Sequence, residues 1–173
     1  MNICVFCSGQ EVDEKYEKAA EELGRLIGSR GHTLVWGGSN GGLMRTIADS
    51  VQKAGGKIVG ISVEFLRAKA RKGADEMIFA NDLPERKRLL RERSDAIIVL
   101  PGGTGTLDEI SEILELKKHE LPKFDFEIHI DVGENGPTQQ LIQDVVSLVR
   151  ANNFEAKTKP ESYAATNVAD RHV

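Results

Sequence analysis

Cysteine is scarce in this 173-residue chain: only Cys4 and Cys7 occur, three residues apart near the start. Both fall in an apolar run typical of a strand, and a strand places residues three apart on opposite faces. A disulfide between them is therefore not expected, and the run does not resemble the helix N-terminus at which a redox Cys-x-x-Cys site belongs. We predict two buried free thiols, a cytoplasmic location and no signal peptide.

Several functional classes are disfavoured because their signals are missing. No apolar run approaches the roughly 20 residues that cross a bilayer, so we expect no membrane partner. The net charge of −4 argues against a nucleic-acid partner. The four histidines are scattered and no Cys/His cluster has zinc spacing, so we expect no metal. Neither a P-loop nor a dinucleotide Gly-x-Gly-x-x-Gly after the first strand occurs, which disfavours P-loop nucleotidases and hydride-transfer enzymes.

What the chain does contain is a regular alternation of short apolar runs and amphipathic stretches. Strands are predicted at 2–8, 32–36, 57–63, 75–80, 96–100 and 126–132. Helices are predicted at 13–30, 82–93, 106–118 and 137–152, with a further one that closes at Gly55. Short links between them favour parallel strands with right-handed crossovers. We therefore predict an α/β fold: a doubly wound, Rossmann-like parallel sheet between helices in a single domain, 1–152, followed by a polar tail, 153–173. The basic segment 64–74 is predicted to be a mobile loop.

A glycine-rich turn follows the most strand-like run of the chain, 96–100. It reads Pro-Gly-Gly-Thr-Gly-Thr-Leu-Asp-Glu over residues 101–109 and leads into a helix. Uncovered backbone N–H groups at such a turn and helix N-terminus form an anion site, and glycines let a phosphate approach closely. Two carboxylates, Asp108 and Glu109, lie directly behind it, although anion binding alone does not require them. The pattern predicts a phosphorylated substrate with chemistry beside the phosphate.

Glu109 has two interpretations at this stage. Thr106-Leu107-Asp108-Glu109 matches a capping box, in which the Glu side chain returns to the helix N-terminus and needs no catalytic role. The alternative is a carboxylate placed to act on the sugar attached to the phosphate.

Arg86 is harder to explain as a surface residue. At about 100° per residue, Leu83, Leu89 and Leu90 surround it on its helix, and Arg93 falls on the same stripe. An arginine on an apolar face needs an anionic partner. Arg86 therefore either points into the crevice at the strand ends or belongs to a structural ion pair.

The motif Pro-Gly-Gly-x-Gly-Thr-x-x-Glu, with Arg86-Lys87 upstream and Gly42-Leu43-Met44 earlier in the chain, resembles the "Lonely Guy" family over roughly residues 1–150. These enzymes are cytokinin riboside 5′-monophosphate phosphoribohydrolases. The resemblance implies an AMP-like nucleoside 5′-monophosphate substrate, cleaved to free base and ribose 5-phosphate, and a homodimer or larger homo-oligomer. It implies that Glu109 and Arg86 are catalytic. Substrate-binding residues by the same analogy are Gly102, Gly103, Thr104, Gly105, Thr106, Lys87, Asp108 and Met44.

This chemistry needs no cofactor. The family is often labelled lysine decarboxylase, but that reaction normally needs pyridoxal phosphate on a lysine, and no such site is recognisable in the sequence. Two rival functions stay open: a non-catalytic nucleotide-binding or molybdenum-cofactor carrier protein of the same fold, and a transferase that replaces water by a second base.

Overall fold

The computed structural model describes residues 1–119, 127–129, 142–151 and 155–157. Residues 1–114 form one compact unit and residues 115–173 a second. The sequence-based boundary at residue 152, between a domain and a tail, stays a prediction.

The first unit is built on five strands. These are β1 (Asn2–Phe6), β2 (Thr33–Trp36), β3 (Lys57–Val63), β4 (Glu76–Ala80) and β5 (Ala96–Val99). They form one sheet in the order β4-β3-β2-β1-β5, and every neighbouring pair is parallel. The helices between them are α1 (Glu14–Ser29), α2 (Gly42–Lys53), α3 (Leu83–Glu92) and α4 (Thr104–Lys118). The predicted α/β class with a parallel sheet and flanking helices is confirmed.

The core lies where the central strands meet α1 and α2. Leu34 and Trp36 of β2 are fully buried, together with Ile47 and Val51 of α2. Cys4 and Cys7 are buried free thiols, as predicted. Burial raises the pKa of Cys7 to about 12 and raises that of Cys4 further, so both stay protonated near neutral pH. Neither is a nucleophile.

Helix starts follow the capping signals of the sequence. The Asp13 carboxylate accepts the Lys15 N–H at the start of α1. Asp82 accepts the Glu85 N–H at the start of α3, 2.8 Å away, and Pro84 sits in the first turn. Helix α3, which carries Arg86, therefore begins where the sequence predicted it.

The segment 64–74 was predicted to be a mobile loop, and the structure gives it regular contacts instead. Residues Glu64–Lys69 form a 3-10 helix. The Arg67 guanidinium lies 3.6 Å from the centre of the Phe79 ring. Arg71 donates to Asp49 at 2.6 Å, and its backbone N–H bonds Gly38 at 2.8 Å. Long basic side chains of this segment contact β4 and α2 and hold the segment in place. Its composition alone indicates only a solvated loop.

In the second unit, β6 (Glu127–His129) pairs in parallel with β7 (Glu155–Lys157), and α5 spans Ile142–Ala151. Strand β7 lies in the region predicted as a polar tail. The rest of the predicted strand 126–132, of the predicted helix 137–152 and of the tail falls outside the described residues. Within the described ranges, no helix has the length and apolarity to cross a membrane.

Candidate active site

The loops at the carboxyl ends of β1, β2 and β5 meet at one edge of the sheet. The Ser8 N–H, just after β1, donates to the Pro101 carbonyl after β5 at 3.0 Å. The Ser8 carbonyl accepts the N–H of Met44, in the first turn of α2, at 3.2 Å. Parallel strands end at the same edge, and ligands of such folds bind there. These hydrogen bonds bring the loops together at one edge, as expected for a parallel sheet.

Arg86 and Glu109, the two predicted catalytic residues, form an ion pair at this edge. Nη1 of Arg86 lies 2.7 Å from Oε1 of Glu109, and the two side chains are 12% and 6% exposed. Nε of Arg86 donates to the Ile61 carbonyl of β3 at 3.0 Å. The sequence left two interpretations of Arg86 open, a position in the crevice or a structural ion pair. Both apply, because its anionic partner is Glu109, the other candidate catalytic residue.

Gly37 makes room for this arginine. A Cβ built on Gly37 would lie 2.5 Å from Nη2 of Arg86 and 3.1 Å from Cε of Met44. Met44, a predicted substrate contact, therefore flanks the same backbone position as the guanidinium. In the sequence, Gly37 belongs to a glycine-rich turn that resembles the Lonely Guy family, but nothing local links it to Arg86. The requirement for glycine is visible only once α3 is packed on the strand ends.

Opposing effects act on the pKa of the Glu109 carboxyl. Burial raises the pKa of its carboxyl, and the Arg86 guanidinium lowers it. Asp108 raises the pKa and Lys87 lowers it, both more weakly. Burial outweighs the ion pair, so the pKa lies above its ordinary value, as found for carboxyls that act at near-neutral pH. Such a group can stabilise positive charge or exchange a proton with water.

The glycine loop is open where a ligand would approach. A Cβ added to Gly103 or Gly105 would meet no atom within 4 Å. Gly102 differs, since its Cβ would lie 2.6 Å from Cβ of the buried Thr106 and even closer to its hydroxyl. Gly102 thus packs the loop against α4, whereas Gly103 and Gly105 leave space beside the exposed Thr104.

The capping-box interpretation of Glu109 is wrong. Helix α4 begins at Thr104, two residues earlier than predicted, so Thr106 lies inside the first turn and is not the cap. The Leu107 N–H donates to the Gly103 carbonyl at 3.1 Å, which continues the helix through these glycines. The Glu109 carboxylate is bonded to Arg86 instead.

Lys87 and Asp108 form a salt bridge. Nζ of Lys87 lies 3.0 Å from Oδ1 of Asp108 and 2.8 Å from Oε2 of Glu112. These two carboxylates raise the pKa of Lys87. Successive residues of α3 therefore hold successive residues of α4, Arg86 with Glu109 and Lys87 with Asp108. Sequence reasoning missed Glu112, whose signal is a third carboxylate three residues after Glu109.

Arg93 does not join the site. It is the C-terminal cap of α3, half exposed, and its Nη1 lies 3.5 Å from Glu76. The sequence placed Arg93 on the same face as Arg86 by assuming that the helix continues. Helix α3 ends at Glu92, so Arg93 lies outside the helix. Leu83 is likewise 47% exposed, so the apolar face around Arg86 is narrower than its spacing predicted.

Two grooves border these elements. One, of about 480 Å³, runs along the strand ends and is lined by residues 9, 39–41, 68–70 and 72. A larger one, of about 780 Å³, lies between α1 and α2 among charged side chains and contains none of the predicted site residues. The buried ion pair and the open glycine loop, and not the larger groove, mark the candidate site.

A family model described as "Ribonuclease H-like" matches residues 48–173. The chain belongs to this family. Its description names no substrate and no reaction.

Curated relatives carry a more specific name. "Cytokinin riboside 5′-monophosphate phosphoribohydrolase" from Mycobacterium tuberculosis is 41% identical over 110 residues, covering 62% of this chain and 59% of that protein. The Arabidopsis thaliana enzyme LOG5, with the same name, is 38% identical over 126 residues, covering 69% and 55%. The resemblance to the Lonely Guy family is confirmed. The chain spans only between a half and three fifths of the length of these relatives.

Solved structures share the fold. The molybdenum cofactor binding protein from Rippkaea orientalis matches with a TM-score of 0.67 at 24% identity, covering 98% of this chain and 96% of that one. The Moco carrier protein from Chlamydomonas reinhardtii matches with a TM-score of 0.64 at 19% identity, covering 98% and 95%. At such identities the likeness shows the fold alone.

Proposed function

We propose that the chain is a nucleoside 5′-monophosphate phosphoribohydrolase, which cleaves the N-glycosidic bond and releases free base and ribose 5-phosphate. The observation that carries the proposal is the buried Arg86–Glu109 pair next to a glycine loop with open space at Gly103 and Gly105. The names of the curated relatives support the same reaction.

The glycine loop is suited to the phosphate. Thr104 begins a 15-residue helix, so uncovered N–H groups and the positive end of the helix dipole lie beside Gly103 and Gly105. We assign the 5′-phosphate to residues 102–106. Met44, Lys87 and Asp108 are the remaining candidate substrate contacts.

Glu109 and Arg86 are then placed to act on the ribose. Cleavage passes through a transition state with positive charge on the sugar ring, as in other glycosidic reactions. The bond from C1′ to the base nitrogen breaks with its electron pair on the base. Water adds its oxygen to C1′, and its proton passes to the base. The Glu109 carboxylate stabilises the ring charge and orients or deprotonates the water, while Arg86 holds the carboxylate and hydroxyl or phosphate oxygens.

Three further properties belong to the proposal. The base is an adenine of the cytokinin type, as in the names of the relatives. The protein is a homodimer or larger homo-oligomer, which the exposed apolar side chains of Leu83, Val99 and Leu107 support. Its location is cytoplasmic, in keeping with the two buried free thiols.

The test is direct. Purified protein is incubated with AMP and with a cytokinin riboside 5′-monophosphate, and free base and ribose 5-phosphate are quantified by chromatography. We expect both products in equal amounts, and none from the nucleosides that lack the phosphate. Cleavage of nucleoside and nucleotide at equal rates would refute the assignment of the glycine loop to phosphate.

Two outcomes point to the rival functions. Tight binding of a monophosphate without release of base indicates a carrier, which the fold of the molybdenum cofactor proteins permits. Appearance of a new nucleotide when a second free base is added indicates a transferase. Light scattering on the same sample gives the oligomeric state.

A further inference from the structure

Helix α4 carries Glu109 but has few buried side chains to hold it in place. Of the described residues of α4, only Thr106, Glu109 and Ile113 are buried within the chain. The helix also follows directly from the open glycine loop. Apolar packing therefore does little to fix the first two turns, and polar contacts must contribute.

Arg86 is fixed independently of α4. Its helix is capped by Asp82, and its Nε bonds the Ile61 carbonyl of β3. One partner of the catalytic pair is thus anchored to the sheet. The 2.7 Å contact with Glu109 forms only if α4 is brought to the correct distance from α3.

Glu112 is the residue that joins these two helices through two cations. Its Oε2 lies 2.8 Å from Nζ of Lys87, and its Oε1 lies 3.3 Å from Nη1 of Arg91. Lys87 and Arg91 sit four residues apart on the same face of α3. The three side chains are 30%, 16% and 26% exposed, so solvent screens these pairs less than it screens the more exposed Arg25–Glu22 pair of α1.

We propose that Glu112 is a positioning residue for the catalytic pair: by holding Lys87 and Arg91 it clamps the first turns of α4 to α3 and so sets Glu109 against Arg86. This inference rests on the proposed function for its kinetic consequence, but its geometric content concerns Glu109 alone and is measurable without turnover.

A purely electrostatic role for Glu112 makes the opposite prediction. The charged groups that act on Glu109 are Arg86 and Lys87 from α3 and Asp108 from its own helix. The titratable groups Cys4, in β1, and Cys7, just after it, also lie near enough for Glu109 to raise their pKa values. If Glu112 contributed only negative charge, its removal would make ionisation of Glu109 easier. If it positions α4, its removal loosens the contact with the Arg86 guanidinium and makes ionisation harder.

The deciding measurement is a carbon-13 NMR titration of the Glu109 carboxyl in the full chain. We compare wild type with Glu112→Gln, which keeps the side-chain shape and loses the charge. The control is Glu22→Gln, which removes an exposed carboxylate paired with Arg25 on α1. We expect the pKa of Glu109 to rise in Glu112→Gln and to stay unchanged in the control. A fall, or no change, overturns the proposal.

Kinetics provide the second readout. In Glu112→Gln we expect kcat for base release to fall about 10-fold, since small misplacements of catalytic groups are costly, with KM within about twofold. Glu112→Asp, which keeps the charge on a shorter side chain, should recover part of kcat. Wild-type kcat in Glu112→Gln overturns the inference. Absence of turnover in wild type refutes the proposed function instead, and the titration then still decides the role of Glu112.

Discussion

Gly37 and Arg86 touch at the carboxyl end of β2, although they lie on different elements far apart in the chain. The backbone of Gly37 passes so near Nη2 of the guanidinium that a Cβ there would lie only 2.5 Å away. The second terminal nitrogen of the guanidinium, Nη1, donates to Glu109. The same guanidinium therefore contacts both the bare backbone of Gly37 and the carboxylate, and a larger residue 37 would displace it.

Replacing Gly37 with alanine should damage catalysis more than folding. The new methyl group must displace either Arg86 or the flexible end of Met44, at a cost of about 1–3 kcal/mol for an overpacked site. Moving the guanidinium by about 1 Å is expected to lower kcat by roughly 100-fold. The assay is base release from a nucleoside monophosphate, with urea unfolding on the same sample.

Gly9→Ala is the matched control. Its Cβ would meet only the Ser39 hydroxyl at 3.8 Å, an ordinary contact. We expect near wild-type kcat there. Equal losses in both variants would mean that added bulk anywhere at this edge is harmful and that the contact with Arg86 has no special role.

Glu109→Gln should abolish turnover while the protein stays folded. Glutamine can still accept the hydrogen bond from Nη1 of Arg86 through its amide oxygen, but it carries no negative charge and cannot take a proton from water. We expect kcat to fall about 10²–10⁴-fold, the usual contribution of a general acid or base. Product analysis gives the rate, and circular dichroism checks the fold. Retention of full activity would remove the carboxylate from the mechanism.

The order of elements could be predicted from the sequence because short apolar runs, caps and glycines are local signals. Asp82 and Pro84 marked the start of α3, and the structure begins that helix at Leu83. The start of α4 was predicted two residues late, because glycine and threonine are poor helix formers and Thr106 has the chemistry of a cap. The contact that holds Glu109 in the structure, with Arg86, is non-local and leaves no local signal in the sequence.

The candidate site was predictable only in part for the same reason. Arg86 was identified because an arginine on an apolar stripe needs a partner, and that partner proved to be Glu109. The bond from Arg86 to the Ile61 carbonyl, the contact with Gly37 and the role of Glu112 depend on how α3 and α4 pack. Local spacing contains no information on such packing.

The pH dependence of stability should reveal the buried carboxyl of Glu109. Its pKa in the folded state is raised above the ordinary value of 4.5 because burial outweighs Arg86. The folded protein therefore binds this proton more tightly than the unfolded chain does. The resulting stabilisation is fully present below pH 4.5 and is lost as the pH rises through the raised pKa. Urea unfolding across this range should show wild type losing stability relative to Glu109→Gln.

The same carboxyl should affect activity in the opposite direction: ionisation of Glu109 lowers stability but is needed for activity. The carboxylate must be ionised to stabilise the sugar cation, so kcat/KM should fall on the acid side at a pH above 4.5. Lys87→Met removes a cation that favours ionisation and should move this limb to higher pH, whereas Asp108→Asn should move it lower. Shifts in the same direction for both variants would contradict an electrostatic origin.

Gly105→Ala tests the phosphate assignment without touching the ion pair. A Cβ at Gly105 meets no atom within 4 Å, and the residue lies in the first turn of α4. Alanine should therefore leave stability unchanged or raise it by up to about 1 kcal/mol, the difference in helix propensity. The methyl group would occupy space that we assign to the 5′-phosphate, so KM for the monophosphate should rise about 10-fold or more while the pKa of Glu109 stays at its wild-type value. Binding of inorganic phosphate, measured by calorimetry, should weaken in parallel. An unchanged KM with unchanged phosphate affinity would place the phosphate away from this turn.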